Sequence, residues 1–122
     1  MTDYAKIYPN LSELLNFLHQ DWKIMFEWEG NKPDYETAIR KLKVANLPAV
    51  RQNIISELAK LISCNFDEEK LEEIVNDDFG SAFYPPGVGL TYQNWLNEIL
   101  RIFEEPVEKT KREFLPKFVG ER

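Results

Sequence analysis

YPNLSELLNFLHQDW, residues 8–22, carries the apolar pattern that decides the fold. Its apolar side chains recur at the i, i+3, i+4, i+7 spacing that places them along one face of an α-helix. They are Leu11, Leu14, Leu15, Leu18 and Trp22. Asn10 is placed to cap this helix by accepting from an early backbone N–H, and Glu13 is placed to reach back to the cap. The stretch therefore predicts a helix whose apolar face needs a packing partner.

Four more segments carry helix signals. Asp34 caps a second helix that runs to about Ala45, and Pro48 opens a third, where its missing N–H costs nothing. A fourth helix begins at Asp67, and Thr91 caps a fifth, which has the clearest amphipathic pattern in the chain. Strand-like alternation is absent beyond short runs. We therefore predict an all-α fold, a single compact bundle of about five to seven helices.

Length and composition indicate one domain over residues 1–122, with a short terminal helix and a frayed end at 107–122. The chain has 15 basic and 21 acidic side chains and a net charge of −6. This balance disfavours nucleic acid as a direct partner and favours encounter with a basic protein. The single cysteine, Cys64, cannot form an internal disulfide, and no apolar stretch is long enough to span a membrane. We expect a cytoplasmic protein without membrane contact.

The fourth helix, DEEKLEEIVNDDF, carries seven acidic side chains and one lysine. Its apolar residues should face the core. The first acids suit the positive end of the helix dipole, whereas the last two lie at the unfavourable end. Such a charged face is either simply solvated or lies against a basic partner. The candidate partner-binding acids are Glu68, Glu69, Glu72, Glu73, Asp77 and Asp78.

Two aromatic residues follow the acidic helix on a loop stiffened by prolines, Phe83 and Tyr84. Buried aromatic anchors supply most of the affinity of a protein interface, so both residues are candidates for contact with a partner. The alternative is that they cover the core beneath the loop. For Trp95, in the fifth helix, we expect a role in the scaffold.

A catalytic interpretation depends on the single histidine. Asp21 could orient His19, and the pair could act as a general base. The alternative is that Trp22 is a core residue and its polar neighbours end the helix. One histidine and one cysteine without metal-ligand spacing do not make a metal site, and Gly87-Val88-Gly89 lacks the context of a phosphate loop. We predict no metal, no cofactor and no enzymatic activity.

Two separated blocks resemble a known family. The first is YPNLSELL followed by FLHQDW; the second is FYPP (83–86) followed by GLTYQNWL (89–96), similar to a Y-x-P-P turn leading into G-L-[ST]-Y-x-x-W-L. Both resemble the immunity proteins of contact-dependent growth inhibition systems, the CdiI type. The resemblance covers residues 8–104. It implies a small cytosolic helical protein that binds and blocks the toxic C-terminal domain of a delivered effector, without catalytic residues.

The leading hypothesis is therefore a stoichiometric inhibitor of one cognate toxin domain, a basic nuclease. It would act either by covering the active site or by blocking the path of the substrate. One competing hypothesis is a small helical adaptor with a helix-in-groove surface. Its apolar patch would consist of Phe114, Leu115, Phe118 and Val119. The other is an acid–base enzyme that uses His19.

Overall fold

The structure, a computed structural model, describes residues 2–18 and 34–106. Within these ranges it contains six α-helices and no β-strand. In chain order the helices are α1 (Tyr4–Ile7), α2 (Pro9–Asn16), α3 (Tyr35–Ala45), α4 (Pro48–Ser63), α5 (Glu68–Glu73) and α6 (Tyr92–Glu104). A π-helical turn, Ile74–Asp78, continues α5, and a 3-10 turn, Pro85–Val88, precedes α6. The prediction of an all-α bundle is confirmed.

The core is assembled around α6. This helix is amphipathic, as the sequence predicts, and one face of it buries six side chains, although Ile102 rather than Leu100 completes the buried set. They are Tyr92, Trp95, Leu96, Ile99, Ile102 and Phe103. Helices α3, α4 and α5 pack against α6, while α2 packs against α4 and α1 against α2. The predicted apolar face of the first helix, Leu11 to Leu18, is fully buried as well. This helix, α2, packs mainly against α4, which in turn packs against α6.

Three helices begin where local capping chemistry predicts. The side chain of Asp34 accepts from the backbone N–H of Thr37 at 3.1 Å, and Thr91 accepts from that of Asn94 at 3.0 Å. Asp67 accepts from the N–H of Lys70 at 2.8 Å and so starts α5. Each bond satisfies one of the N–H groups that a helix N-terminus leaves unpaired.

Helix α2 begins differently from the prediction. It starts at Pro9, and Asn10 does not cap it. Instead the buried carboxylate of Glu57, on α4, accepts from the backbone N–H of Leu11 and from Asn10 Nδ2, both at 2.8 Å. The start of α2 is thus satisfied by a side chain distant in sequence, which the local capping pattern could not indicate.

The N-terminal residues contain an element that the sequence patterns did not indicate, because Tyr4–Ile7 forms the single helical turn of α1. Tyr4 packs its ring edge-on against Phe66, with 5.8 Å between ring centroids, and lies parallel to Tyr8. These aromatic contacts tie α1 to the segment between α4 and α5.

The C-terminal end of α6 is held by α3. Lys43 is fully buried, and its ammonium donates to the backbone carbonyls of Ile102 at 2.8 Å and Glu105 at 2.5 Å. Arg40 forms a two-bond ion pair with the carboxylate of Glu105, at 3.0 and 3.3 Å. Cations at this end satisfy the last carbonyls and suit the negative end of the helix dipole. Helix α6 ends at Glu104, two residues before Pro106.

No helix in residues 2–18 and 34–106 is both long enough and apolar enough to cross a membrane.

Candidate partner-binding surface

The six candidate acids all lie on α5 and the π turn that continues it, and we call this set the acidic face: Glu68, Glu69, Glu72, Glu73, Asp77 and Asp78. Leu71, Ile74 and Val75 on the opposite side of the same segment are fully buried, as predicted. Five of the six acids are exposed, and Asp78 is partly buried. The structure therefore places all six on the outside of α5 and the π turn.

The π turn determines where the last acids point. In a continuous α-helix, the inward series 71, 74, 75 would continue at 78, which is an aspartate. The ladder instead widens, and the N–H of Phe79 donates to the carbonyl of Ile74 at 2.9 Å. The extra residue per turn brings Phe79 into the core, where it is 1% exposed, and moves Asp78 outward. The sequence pattern predicted a regular helix through this region and missed the π turn.

Glu68 is occupied within the fold. Its two carboxylate oxygens accept from the backbone N–H groups of Tyr92 at 2.7 Å and Gln93 at 3.1 Å, the first residues of α6. A carboxylate in this position satisfies two unpaired donors and lies at the positive end of the helix dipole. Glu68 therefore supports the start of α6 from a neighbouring helix.

Two further acids of the acidic face have partners inside the molecule. Asp78 accepts from the backbone N–H of Tyr4 at 3.2 Å, the first residue of α1. Glu73 forms an exposed ion pair with Lys70 at 3.5 Å, a contact worth little in water. The bond to Tyr4 gives Asp78 a donor, which offsets its placement at the end of a helix where a carboxylate is otherwise unfavourable.

The remaining acids make no hydrogen bond or ion pair with any described residue: Glu69, Glu72 and Asp77. Asp77 and Asp78 also line an open groove of about 530 Å³ whose other side includes Glu13 and Asn16 of α2. Uncompensated carboxylates create a negative field to which a basic partner responds. Glu69, Glu72 and Asp77 are therefore the members of the acidic face that lack a polar partner among the described residues.

Phe83 and Tyr84 point in opposite directions. Phe83 is 7% exposed and lies parallel to Trp95 with 5.0 Å between ring centroids, while Tyr35 packs against it at 5.1 Å. Tyr84 is 61% exposed. Of the two predicted alternatives for this pair, the structure thus places Phe83 in the core and leaves Tyr84 on the surface. The expected scaffold role of Trp95 agrees with its complete burial.

Tyr92, the first residue of α6, is buried beside Asn76 of the π turn. Burial raises the pKa of Tyr92, and the charges of Glu72 and Glu68 and the phenol of Tyr84 act in the same direction, while a hydrogen bond from Asn76 acts against them. The distance from Asn76 Nδ2 to the Tyr92 hydroxyl is 3.4 Å.

The proposed acid–base pair, His19 and Asp21, lies outside the described residues, as does Trp22. So does the apolar set in residues 114–119 on which the adaptor hypothesis depends. Across the described ranges, no group of three or more histidine, cysteine, aspartate or glutamate side chains is arranged to hold a metal ion.

Comparison with known proteins supports the resemblance found in the two sequence blocks. The sequence model of the CdiI immunity protein family matches residues 7–103. The chain belongs to the CdiI immunity protein family. The fold is also that of a chain in the crystal structure of a CdiA-CT/CdiI complex from Y. kristensenii 33638, with a TM-score of 0.69. The two chains are 20% identical, and the match covers 80% of this CdiI-family chain and 98% of the other. No curated protein matches the chain.

Proposed function

We propose that this CdiI-family protein binds the toxic C-terminal domain of a contact-dependent growth inhibition effector and blocks its activity without catalysing a reaction. The observation that carries the proposal is the family match over residues 7–103. The related fold in a CdiA-CT/CdiI complex supports it, because that chain was crystallised in a complex of this type. The protein acts in the cytoplasm, as one inhibitor for each toxin domain.

We further propose that the toxin domain is basic and that it is a nuclease. An enzyme that holds nucleic acid needs a positive groove to bind phosphates. The protein has a net charge of −6 and presents Glu69, Glu72 and Asp77 without internal partners among the described residues. Complementary charges of this kind mainly raise the association rate and select the partner.

Growth protection and direct inhibition test the function. The C-terminal domain of the effector encoded upstream is expressed in cells with and without this protein, and its cleavage of tRNA, rRNA and DNA is measured after mixing at a 1:1 ratio. We expect growth to be restored and cleavage to stop. Loss of growth inhibition without complex formation would contradict inhibition by binding, and a toxin domain inactive on all three nucleic acids would contradict a nuclease.

The acidic face is tested by one matched pair of charge reversals. Glu72→Lys and Glu104→Lys each change the net charge by two. Glu104 is the last residue of α6, about 18 Å along the helix axis from Tyr92, whose backbone N–H contacts Glu68 of the acidic face. Both side chains are exposed. Beyond about 10 Å, charges are largely screened at 0.1 M salt. We expect Glu72→Lys to slow association with the toxin domain by roughly threefold or more at low salt, and Glu104→Lys to leave the association rate nearly unchanged.

Stopped-flow association rates measured over a salt series provide the readout, and circular dichroism verifies that both variants remain helical. Equal slowing by the two variants would mean that only the net charge matters and would remove the acidic face from the proposal. The immunity function itself would stand, because it is measured by growth protection.

A further inference from the structure

The loop before α6 presents one aromatic side chain on a fixed support. In the extended backbone at Tyr84, with φ −113° and ψ 93°, successive side chains point to opposite sides. Phe83 is held inward by its stack on Trp95, so Tyr84 must project outward. The outward direction of Tyr84 is therefore a consequence of core packing.

The chain that follows is closed into a tight turn. The N–H of Gly87 donates to the carbonyl of Tyr84 at 2.9 Å, and that of Leu90 donates to the carbonyl of Pro85 at 3.1 Å. Two prolines fix the first positions of the turn, and Gly89 ends it at φ 82°, a conformation that L side chains rarely adopt. A side chain on such a support loses little further conformational freedom when it binds.

Two apolar side chains stand exposed on this turn, Tyr84 at 61% and Val88 at 52%. A single exposed apolar residue is ordinary, but here two share one rigid turn. Glu68 accepts from the backbone N–H groups of Tyr92 and Gln93, so a carboxylate lies at the start of the helix that follows the turn. In protein interfaces, binding energy is concentrated in a few buried aromatic anchors, and polar groups occupy the rim around them.

We propose that Tyr84, together with Val88, is the anchor that holds the toxin domain, and that it enters an apolar pocket rimmed by arginine or lysine side chains. This inference rests on the proposed function. It divides the interface in two, because the anchor governs how slowly the complex dissociates and the uncompensated acids govern how fast it forms.

Dissociation kinetics of three variants test the anchor. Tyr84→Ala and Val88→Ser remove the two exposed side chains of the turn, and Leu47→Ala removes one that is 72% exposed at the junction of α3 and α4. The probe is the purified C-terminal domain of the effector encoded upstream. We expect Tyr84→Ala to raise the dissociation rate by roughly tenfold or more, Val88→Ser to raise it less, and Leu47→Ala to leave it within about twofold.

Salt dependence separates the anchor from the acidic face. The effect of Tyr84→Ala should persist unchanged across a salt series, since it removes apolar contact, whereas that of Glu72→Lys should fade. If the Tyr84→Ala variant keeps the wild-type helicity and its complex dissociates at the wild-type rate, the anchor proposal is overturned. The proposed function still stands in that case if the unaltered protein protects growth. Failure of the unaltered protein to bind the toxin domain overturns both.

Discussion

Neighbouring carboxylates of the acidic face differ in whether they bind groups within the protein. Glu68 holds two backbone donors at the start of α6, whereas Glu69, one position later, has no partner among the described residues. The two residues have the same charge, and both are exposed. They form a natural pair for separating a contribution to stability from a contribution to binding.

We predict that Glu68→Ala lowers the free energy of unfolding by about 1 kcal/mol, because it leaves the first turn of α6 without its carboxylate acceptor. Glu69→Ala should change it by less than about 0.5 kcal/mol, as surface substitutions usually do. Urea denaturation of both variants measures the difference. Equal stabilities would show that water replaces Glu68 at this helix start.

At the level of whole elements, several helices depend on groups from elsewhere in the chain. Glu57 holds the start of α2, Glu68 the start of α6 and Lys43 the end of α6. The C-terminal end of α2 is joined to the segment after the π turn by two bonds. Asn16 Nδ2 donates to the carbonyl of Phe79 at 3.2 Å, and the N–H of Ala82 donates to that of Leu18 at 2.7 Å.

Two glycines with positive φ allow this junction to be tested. A Cβ on Gly80, at φ 74°, would lie 2.5 Å from Asn16 Nδ2, whereas one on Gly89, at φ 82°, would meet nothing within 4 Å. Both alanine variants should lose about 1 kcal/mol from the left-handed backbone. We predict that Gly80→Ala loses about 1 kcal/mol more, because Asn16 must release Phe79.

Chemical denaturation of a double-mutant cycle gives the measurement. In an Asn16→Ala background the additional loss caused by Gly80→Ala should disappear, so that the two glycine variants become equivalent. An additional loss that persists without the Asn16 side chain would show that contact with Asn16 is not its cause.

On the scale of the whole molecule, the buried phenols make the free energy of unfolding depend on pH in the alkaline range. Burial raises the pKa of Tyr35 from 10.0 to about 12, and the nearby Glu36 and Glu98 act in the same direction. Burial also raises the pKa of Tyr8 to about 12, helped by its hydrogen bond with Cys64. The unfolded chain then loses these protons at lower pH than the folded chain does, so stability is complete below pH 10 and falls between pH 10 and 12.

We predict that Tyr35→Phe flattens the fall in unfolding free energy between pH 10 and 12, since it removes an ionisable group and leaves the ring in place. Comparing the variant with the unaltered protein cancels the contribution of Lys43, whose pKa burial lowers and which acts in the opposite sense. Urea titrations at several pH values supply the slopes. Identical slopes would exclude Tyr35 as a contributor.

Much of this architecture could be predicted from the sequence, because it follows from local chemistry. Apolar periodicity identified the buried faces of α2 and α6, and the caps Asp34, Asp67 and Thr91 begin helices where expected. Helix starts that depend on distant partners were missed. The first turn of α2 is held by the carboxylate of Glu57, and no spacing rule connects that residue to Leu11.

The candidate surface could be predicted only in part. Acid placement on α5 followed from helical periodicity, but which acids are occupied internally depends on the approach of α1 and α6, which the sequence does not encode locally. The sequence contained one sign of the π turn. Helical spacing predicts an inward-facing residue at position 78, but Asp78 is charged and the apolar residue, Phe79, follows it by one position. In an extended loop, neighbouring side chains point to opposite sides, so the sequence indicates that Phe83 and Tyr84 face different ways but not which of them faces the core.

The carboxylate of Glu57 also bears on the order in which a nascent chain can fold. The turn that opens α2 is synthesised 46 residues before its acceptor. An eight-residue helix is too short to persist in water without outside support. As the chain leaves the ribosome, we therefore expect the segment of α2 to become helical only after α4 has emerged and can hold its first turn.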